Sequence, residues 1–182
     1  MSTPTMSAGE ARAQTTFTAL MWALSQPGQA HVLPAGGLAA FSMIADALID
    51  LETSYFTDHP ELQQLLARSG ARARPTSAAM YQFYPQLNAA ALALLGDAPT
   101  GTYSYPDESA TLIVGCALGA GRRLRLRGPG IATVTELWID GIPEPFWTLR
   151  EQMCLYPLGW DTVLVADDHV LGLPRTTQIE VG

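Results

Sequence analysis

Apolar side chains in the first half of the chain recur with the 3.6-residue period of amphipathic helices. Residues 17–24 follow this period and predict a first helix, which ends before Pro27 because proline cannot continue a helix. The same period predicts helices over 36–50 and 85–96, and a helix entered through prolines over 143–155. We therefore expect several helices that each bury one face.

One further helix carries both start and stop signals. Asp58 is a candidate N-cap, Pro60 falls in the first turn, and Glu61 completes a D-x-x-E capping box. Gly70 suits the end of a helix because glycine readily adopts the left-handed conformation found there. The sequence thus predicts a helix that begins after Asp58 and ends before Gly70.

Strand patterns dominate the second half of the chain. Five segments either alternate apolar and polar residues or form a short apolar run, and each predicts one strand. They are 29–34, 76–84, 110–118, 122–127 and 133–139. Residues 161–174 predict a hairpin that turns at Asp167 and Asp168. A mixed sheet with helices packed on it follows, which leaves α/β and α+β open; we take α/β, with helices flanking the sheet.

Composition indicates one compact domain. Of the 182 residues, 48% are apolar and 15% are charged, as in globular proteins. A chain of this length buries roughly 70% of its unfolded surface on folding. Because the first residues are small and polar, we predict a flexible arm over 1–13 and a single domain over 14–182.

Charge and hydropathy narrow the class further. The net charge of −7 argues against nucleic-acid binding, which needs a basic face. The N-terminus shows no secretory signal pattern, and purely apolar runs such as 19–24 reach no more than seven residues, far short of a membrane span. We expect a soluble cytoplasmic protein that contacts neither nucleic acid nor membrane.

A local exception to the acidic charge lies at residues 121–130, GRRLRLRGPG, which hold four of the ten basic residues. Two-residue strand periodicity places Arg123, Arg125 and Arg127 on one face and Arg122 with two leucines on the other. Three guanidinium groups in a row are costly to bury. That face therefore meets either water and carboxylates of the same chain, or an anionic partner.

Several catalytic chemistries are excluded or unsupported. All ten basic residues are arginine, so the chain forms no lysine Schiff base and has no Walker A lysine. Its histidines and two cysteines lack the spacing of a zinc site, and no G-x-S-x-G motif occurs. We predict no catalytic residue, no metal and no cofactor. The tryptophans at 138, 147 and 160 are interpreted as core or interface anchors.

Three blocks of sequence resemble one known family, the H subunit of the bacterial carbon–phosphorus lyase complex (PhnH). The C-terminal block, 156–182, matches its F-P-L-G and P-R-T-T-x-h-E-V patterns, where h is apolar. The glycine-flanked stretch 121–131 and the end of the first helix, 17–28, match two further patterns in the same order. One departure is Thr18, where the family usually has arginine after the first-helix phenylalanine.

The resemblance implies a fold and a function. The family looks like the pyridoxal-phosphate-dependent transferase fold without its cofactor. Its members form homodimers alone and join G, I and J subunits in a core complex. That complex, with further factors, converts ATP and a phosphonate into a ribose 1-phosphonate 5-triphosphate and then cleaves the C–P bond. The chemistry is attributed to the I and J subunits, so the resemblance implies a structural, non-catalytic subunit without independent activity, whose contacts we expect around 138–160.

An alternative function also fits the residues. The guanidinium group of arginine can donate two parallel hydrogen bonds to the oxygens of a phosphate group. The chain could therefore be a binding or enzymatic subunit that binds a phosphonate or nucleotide triphosphate. The candidate ligand- or partner-binding residues are Arg122, Arg125, Arg175, Thr176 and Thr177. For Arg175, a second interpretation is that it holds the C-terminal strand in place through hydrogen bonds to the backbone.

Overall fold

The structure, a computed structural model, describes residues 6–182. Its α-helices, in chain order, are α1 Ala8–Ser25, α2 Leu38–Leu48, α3 Pro60–Leu66, α4 Ala89–Leu95 and α5 Glu144–Met153. Short 3₁₀ helices follow at Ala67–Ser69 and Thr76–Ala78. The predicted helices over 17–24, 36–50, 58–70, 85–96 and 143–155 are all present, with shorter bounds in most cases and an earlier start for the first.

Ten strands complete the described part of the chain. They are β1 Ala30–Val32, β2 Ser54–Thr57, β3 Arg72–Ala73, β4 Tyr81–Tyr84, β5 Thr111–Gly115, β6 Ala117–Arg127, β7 Thr135–Asp140, β8 Asp161–Ala166, β9 His169–Leu173 and β10 Gln178–Val181. The predicted run 110–118 is divided at Cys116 into β5 and β6. Strands β2 and β3 were not predicted, and the first part of the predicted strand 76–84 is the 3₁₀ helix Thr76–Ala78.

Seven strands form a mixed sheet in the order β1-β9-β8-β5-β4-β2-β3. Strands β3, β2, β4, β5 and β8 run parallel to one another, whereas β9 pairs antiparallel with both β8 and β1. The β8–β9 hairpin turns at Asp167, which adopts a positive φ of 51°, as predicted. The remaining strands form a second, antiparallel sheet in the order β10-β6-β7.

Both faces of the large sheet are covered, so its central strands bury consecutive residues. Ile113 packs into one hydrophobic cluster with α1, α2 and α3, while Leu112 and Val114 pack into a second cluster with α4, α5 and the small sheet. All three side chains are fully buried. Burial on both faces explains the continuous apolar run of β5, and the α/β class with a mixed sheet flanked by helices is confirmed.

Helix α1 includes the second half of the flexible arm predicted over 1–13. Residues 1–5 lie outside the described residues, but 8–13 form the first turns of α1. Ser7 is the N-cap: its hydroxyl accepts a 3.2 Å hydrogen bond from the Glu10 amide, and its own amide donates to the Glu10 carboxylate at 2.7 Å. The hydrogen bond from the Ser7 amide to the Glu10 carboxylate also lowers the pKa of Glu10. The small polar residues that suggested an arm therefore form a capping box.

The N-cap of α3 is one residue later than predicted. Nδ1 of His59, not the Asp58 carboxylate, accepts the hydrogen bond from the Leu62 amide at 3.3 Å. Pro60 consequently occupies the first helical position. Gly70 ends the segment in the left-handed conformation with φ 79°, as predicted.

Candidate functional site

The arginine face of β6 is neutralised within the chain at two of its three positions. Arg123 donates to both carboxylate oxygens of Glu136 on β7, the shorter hydrogen bond being 2.6 Å. Arg125 donates to Glu180 on β10 at 3.0 Å and lies 3.4 Å from Glu136. The hydrogen bonds from Arg123 lower the pKa of Glu136. The structure thus favours the interpretation in which carboxylates of the same chain face these two arginines.

Arg122 lies apart from the other site residues. The two-residue alternation holds, because Leu124 and Leu126 are fully buried on the face opposite Arg123 and Arg125. Arg122 forms a 3.0 Å ion pair with Glu144, the first residue of α5, and lines a different groove. It does not share a cavity with Arg125 or Arg175.

Arg175 is a structural crosslink between three segments. Its Nη2 donates to Oδ2 of Asp161 at 2.7 Å, and its backbone amide donates to Oδ1 at 2.9 Å. Its Nη1 donates to the carbonyls of Pro106 and Pro157 at 2.6 and 3.5 Å. The side chain therefore joins the loop 100–108, the segment before β8 and the approach to β10.

Arg150 on α5 is a buried guanidinium that the sequence analysis missed. Only 3% of its surface is exposed. It donates to the carbonyls of Thr177, Leu173 and Pro174 at 3.2, 3.2 and 2.7 Å. Burial lowers its pKa from the ordinary arginine value. These hydrogen bonds fasten the segment between β9 and β10 to α5.

Four arginines line one cavity of about 600 Å³ between α5, β10 and the end of β6. The basic residues that line it are Arg125, Arg127, Arg150 and Arg175. Two glutamates, Glu151 and Glu180, lie in the same wall. A volume of this size falls within the range of roughly 300–1,000 Å³ that is usual for small-molecule sites.

The structure brings three of the five predicted site residues together. Arg125, Arg175 and Thr177 line the cavity, whereas Arg122 does not, and Thr176 is half-buried beside it without lining it. Arg127 belonged to the predicted basic strand but not to the predicted site. Arg150 had no distinguishing signal, because a single arginine near the end of a helix usually faces water.

The three tryptophans of the second half differ in exposure. Trp147 and Trp160 are buried in the core, which agrees with the interpretation as core anchors, while Trp138 is 45% exposed.

Helix α1 presents an exposed apolar surface, formed by Phe17, Met21 and Trp22, each about half exposed. We call these three residues the α1 patch.

Cys116, between β5 and β6, is expected to be an unreactive thiol. Burial raises its pKa to about 12, so only roughly 10⁻⁴ of it is thiolate at pH 8, and the thiolate is the reactive form. We expect iodoacetamide at pH 8 to leave Cys116 unmodified in the native protein and to alkylate it in urea, with peptide mass spectrometry as the readout. Equal rates in both conditions would contradict this.

Residues 6–182 contain neither a cluster of metal-ligating side chains nor a membrane-spanning helix. In that part of the chain, no three His, Cys, Asp or Glu side chains come together as a group that could hold a metal ion. No helix there is long and apolar enough to cross a membrane.

Comparison with known proteins gives one consistent result. The sequence model of a family described as bacterial phosphonate metabolism protein (PhnH) matches residues 4–180. A putative C-P lyase subunit protein, HtxG of Stutzerimonas stutzeri, is 33% identical over 174 residues, covering 93% of this chain and 87% of the relative. The alpha-D-ribose 1-methylphosphonate 5-triphosphate synthase subunit PhnH of Rhizobium meliloti (strain 1021) is 44% identical over 82 residues, which is 44% of this chain and 41% of that protein.

Proposed function

The chain belongs to the PhnH family of bacterial phosphonate metabolism proteins, and we propose that it serves as a structural, non-catalytic subunit of a carbon–phosphorus lyase core complex. In this role it assembles with G-, I- and J-type subunits, which form a ribose 1-phosphonate 5-triphosphate from ATP and a phosphonate and then cleave the C–P bond. The chain has no independent activity in this proposal.

The observation that carries the proposal is the extent of the family match. It covers residues 4–180, and the relative named as a C-P lyase subunit aligns over 93% of the chain. A match of this length includes both sheets and all five described helices. The whole folded unit, and not one shared segment, is therefore the common feature.

The contacts of the candidate residues support a structural role. Arg122, Arg123 and Arg125 are paired with carboxylates of the same chain, and Arg175 is paired with Asp161. Catalytic groups usually have perturbed pKa values and open access to substrate. Here the arginines that form ion pairs and hydrogen bonds within the chain connect strands, loops and α5 to one another.

We also propose that the fold is that of pyridoxal-phosphate-dependent transferases without the cofactor. The mixed sheet with a parallel centre and helices on both faces supports this proposal. The lysine-free sequence supports it as well, because the cofactor is normally held as a lysine Schiff base.

For the assembly surface we propose the α1 patch together with Trp138. In the interfaces of stable complexes, aromatic residues and methionine are enriched at the core, and Phe17, Met21 and Trp22 follow one another along the exposed side of α1. This revises the expectation that contacts lie only around 138–160, because Trp147 and Trp160 of that region are buried. Thr18 lies within the patch and donates to the Gln14 carbonyl at 2.8 Å, so the arginine usual in the family would stand on this surface.

The proposal is tested by affinity purification of the tagged chain from its host, grown on a phosphonate as sole phosphorus source. Mass spectrometry of the eluate is expected to find the G-, I- and J-type subunits in stoichiometric amounts. Size-exclusion chromatography with light scattering is expected to show a homodimer for the isolated chain. Recovery of the chain alone from cells that express the other subunits would contradict the proposal.

The surface is tested with Met21→Glu and Trp22→Glu. A charge in the centre of an apolar interface is expected to reduce recovery of at least one partner at least tenfold, or to convert the dimer to monomer. Leu94→Glu is the matched control, because Leu94 on α4 is similarly exposed, at 43%, and lies outside the patch. Folding is checked by circular dichroism. Normal assembly of both patch variants would assign the interface to another surface.

A further inference from the structure

The arginine-lined cavity between α5 and β10 is not explained by a role in assembly alone. Of its four arginines, Arg125 and Arg175 have carboxylate partners. Among residues 6–182, no carboxylate lies at ion-pair distance from Arg127 or Arg150. The cavity wall therefore carries two cationic groups that the chain does not neutralise directly.

The burial of Arg150 makes this imbalance significant. An ionised group that is withdrawn from water needs a counter-ion or a complete set of hydrogen bonds. The Nη atoms of Arg150 bond to three carbonyls, but its Nε is buried without a hydrogen-bond partner. A protein of net charge −7 thus keeps a positive charge inside it that is hydrogen-bonded to carbonyls, with Asp161 near enough to act on it electrostatically but not to form an ion pair.

Two more cavity residues have unused hydrogen-bonding capacity. The hydroxyl of Thr177 is buried and lacks a partner, although the backbone amide of the same residue donates to the Pro174 carbonyl at 2.9 Å. Nε of Arg125 lies 3.4 Å from Glu136 but makes no hydrogen bond of good geometry. Buried polar atoms in native proteins are usually satisfied by protein, water or a ligand.

We propose that this cavity is a binding site for a small molecule that bears a phosphate or phosphonate group, held by Arg127, Arg150 and Thr177. A dianionic oxyanion supplies the missing counter-charge, and its oxygens accept from guanidinium and hydroxyl donors. Arg125 and Arg175 stay paired with their own carboxylates and shape the wall. This site differs from the predicted one, because it omits Arg122 and Thr176 and includes Arg127 and Arg150.

The inference rests on charge and burial, and only the choice of phosphonate as a probe rests on the proposed function.

The isolated full-length chain is titrated calorimetrically at pH 7.5 with inorganic phosphate and with methylphosphonate. Acetate is the monovalent carboxylate for comparison, and chloride keeps the ionic strength constant. Saturable binding of phosphate or methylphosphonate is expected, at least tenfold tighter than binding of acetate. No saturable binding, or equal binding of acetate, would overturn the proposal. Assembly with the other subunits is measured separately, so either idea can fail alone.

Substitutions locate the site. Arg127→Gln removes an exposed guanidinium that makes no ion pair, and Thr177→Val removes the unpartnered hydroxyl at constant volume, so both variants are expected to fold. Each is expected to raise the Kd for the tighter probe about tenfold, the effect of losing one charge-assisted or buried hydrogen bond. Arg68→Gln, at the exposed 3₁₀ helix after α3, is the control and is expected to bind as the unchanged chain does. Either cavity variant binding as tightly as the control would overturn the proposal.

Discussion

Replacing Arg150 with methionine is expected to lower the free energy of unfolding by about 3–5 kcal/mol. Methionine keeps much of the aliphatic stem but removes every donor. The carbonyls of Leu173, Pro174 and Thr177 then lose their hydrogen bonds from α5. The Pro174 carbonyl keeps its hydrogen bond from the Thr177 amide. A buried carbonyl that is left unsatisfied costs about 1–3 kcal/mol, and relief from burying an uncompensated charge offsets only part of the sum.

Urea denaturation at pH 7 measures the effect, with Arg68→Met as the matched control on an exposed arginine. The control is expected to stay within about 0.5 kcal/mol of the unchanged chain. Hydrogen exchange is expected to quicken in β10, because the segment that precedes it is no longer fastened to α5. A loss below about 1 kcal/mol for Arg150→Met would show that water replaces the guanidinium at these carbonyls.

The second large effect is expected for Trp160→Ala, which should lower the free energy of unfolding by about 3–5 kcal/mol. Trp160 is fully buried in the cluster that contains α4 and α5. Its indole Nε1 donates to the carbonyl of Ala98 at 3.3 Å, and the adjacent Gly159 amide donates to the Thr100 carbonyl at 2.9 Å. The substitution therefore creates a cavity and also loosens the contact between two loops.

Trp138→Ala is the control for this substitution, since it removes the same side chain from a half-exposed position on β7. We expect Trp138→Ala to cost roughly half as much as Trp160→Ala or less, because 45% of Trp138 is already exposed to water in the folded chain. Both variants are compared by urea denaturation followed by circular dichroism, which does not depend on tryptophan emission. Similar losses for the two variants would contradict the assignment of Trp160 to the core.

Local patterns predicted the elements of this fold well where one physical signal was dominant. The two-residue alternation of 122–127 correctly placed Leu124 and Leu126 inside and Arg123 and Arg125 outside. Gly70 was correctly identified as a helix end. The polar residues before α1 were misinterpreted, because small polar residues fit both a loose terminus and an N-cap, and only the reciprocal contacts of Ser7 and Glu10 distinguish the two.

The candidate site was harder to predict because it depends on contacts between distant segments. Arg150 is buried by carbonyls that lie 23 to 27 positions further along the chain, which no local period reveals. Arg122 was grouped with Arg125 because the two are close in sequence. Strand geometry directs their side chains to opposite faces, so Arg122 meets Glu144 while Arg125 meets Glu180. The partner of Arg175, Asp161, lies at the start of β8, and no local pattern connects the two residues.

The pairing of β1 has a consequence for the order in which the protein folds during synthesis. β1 pairs with β9 and with no other strand of the described chain, and α1 packs on β8 and β9. The N-terminal fifth of the chain therefore emerges from the ribosome well before the hairpin it packs on. Helix α1 can contact α2 as soon as both have been made, but its contacts with β8 and β9 must wait for residues 161–173. Contacts this distant in sequence form slowly, so we expect the docking of α1 on the large sheet to be a late step of folding.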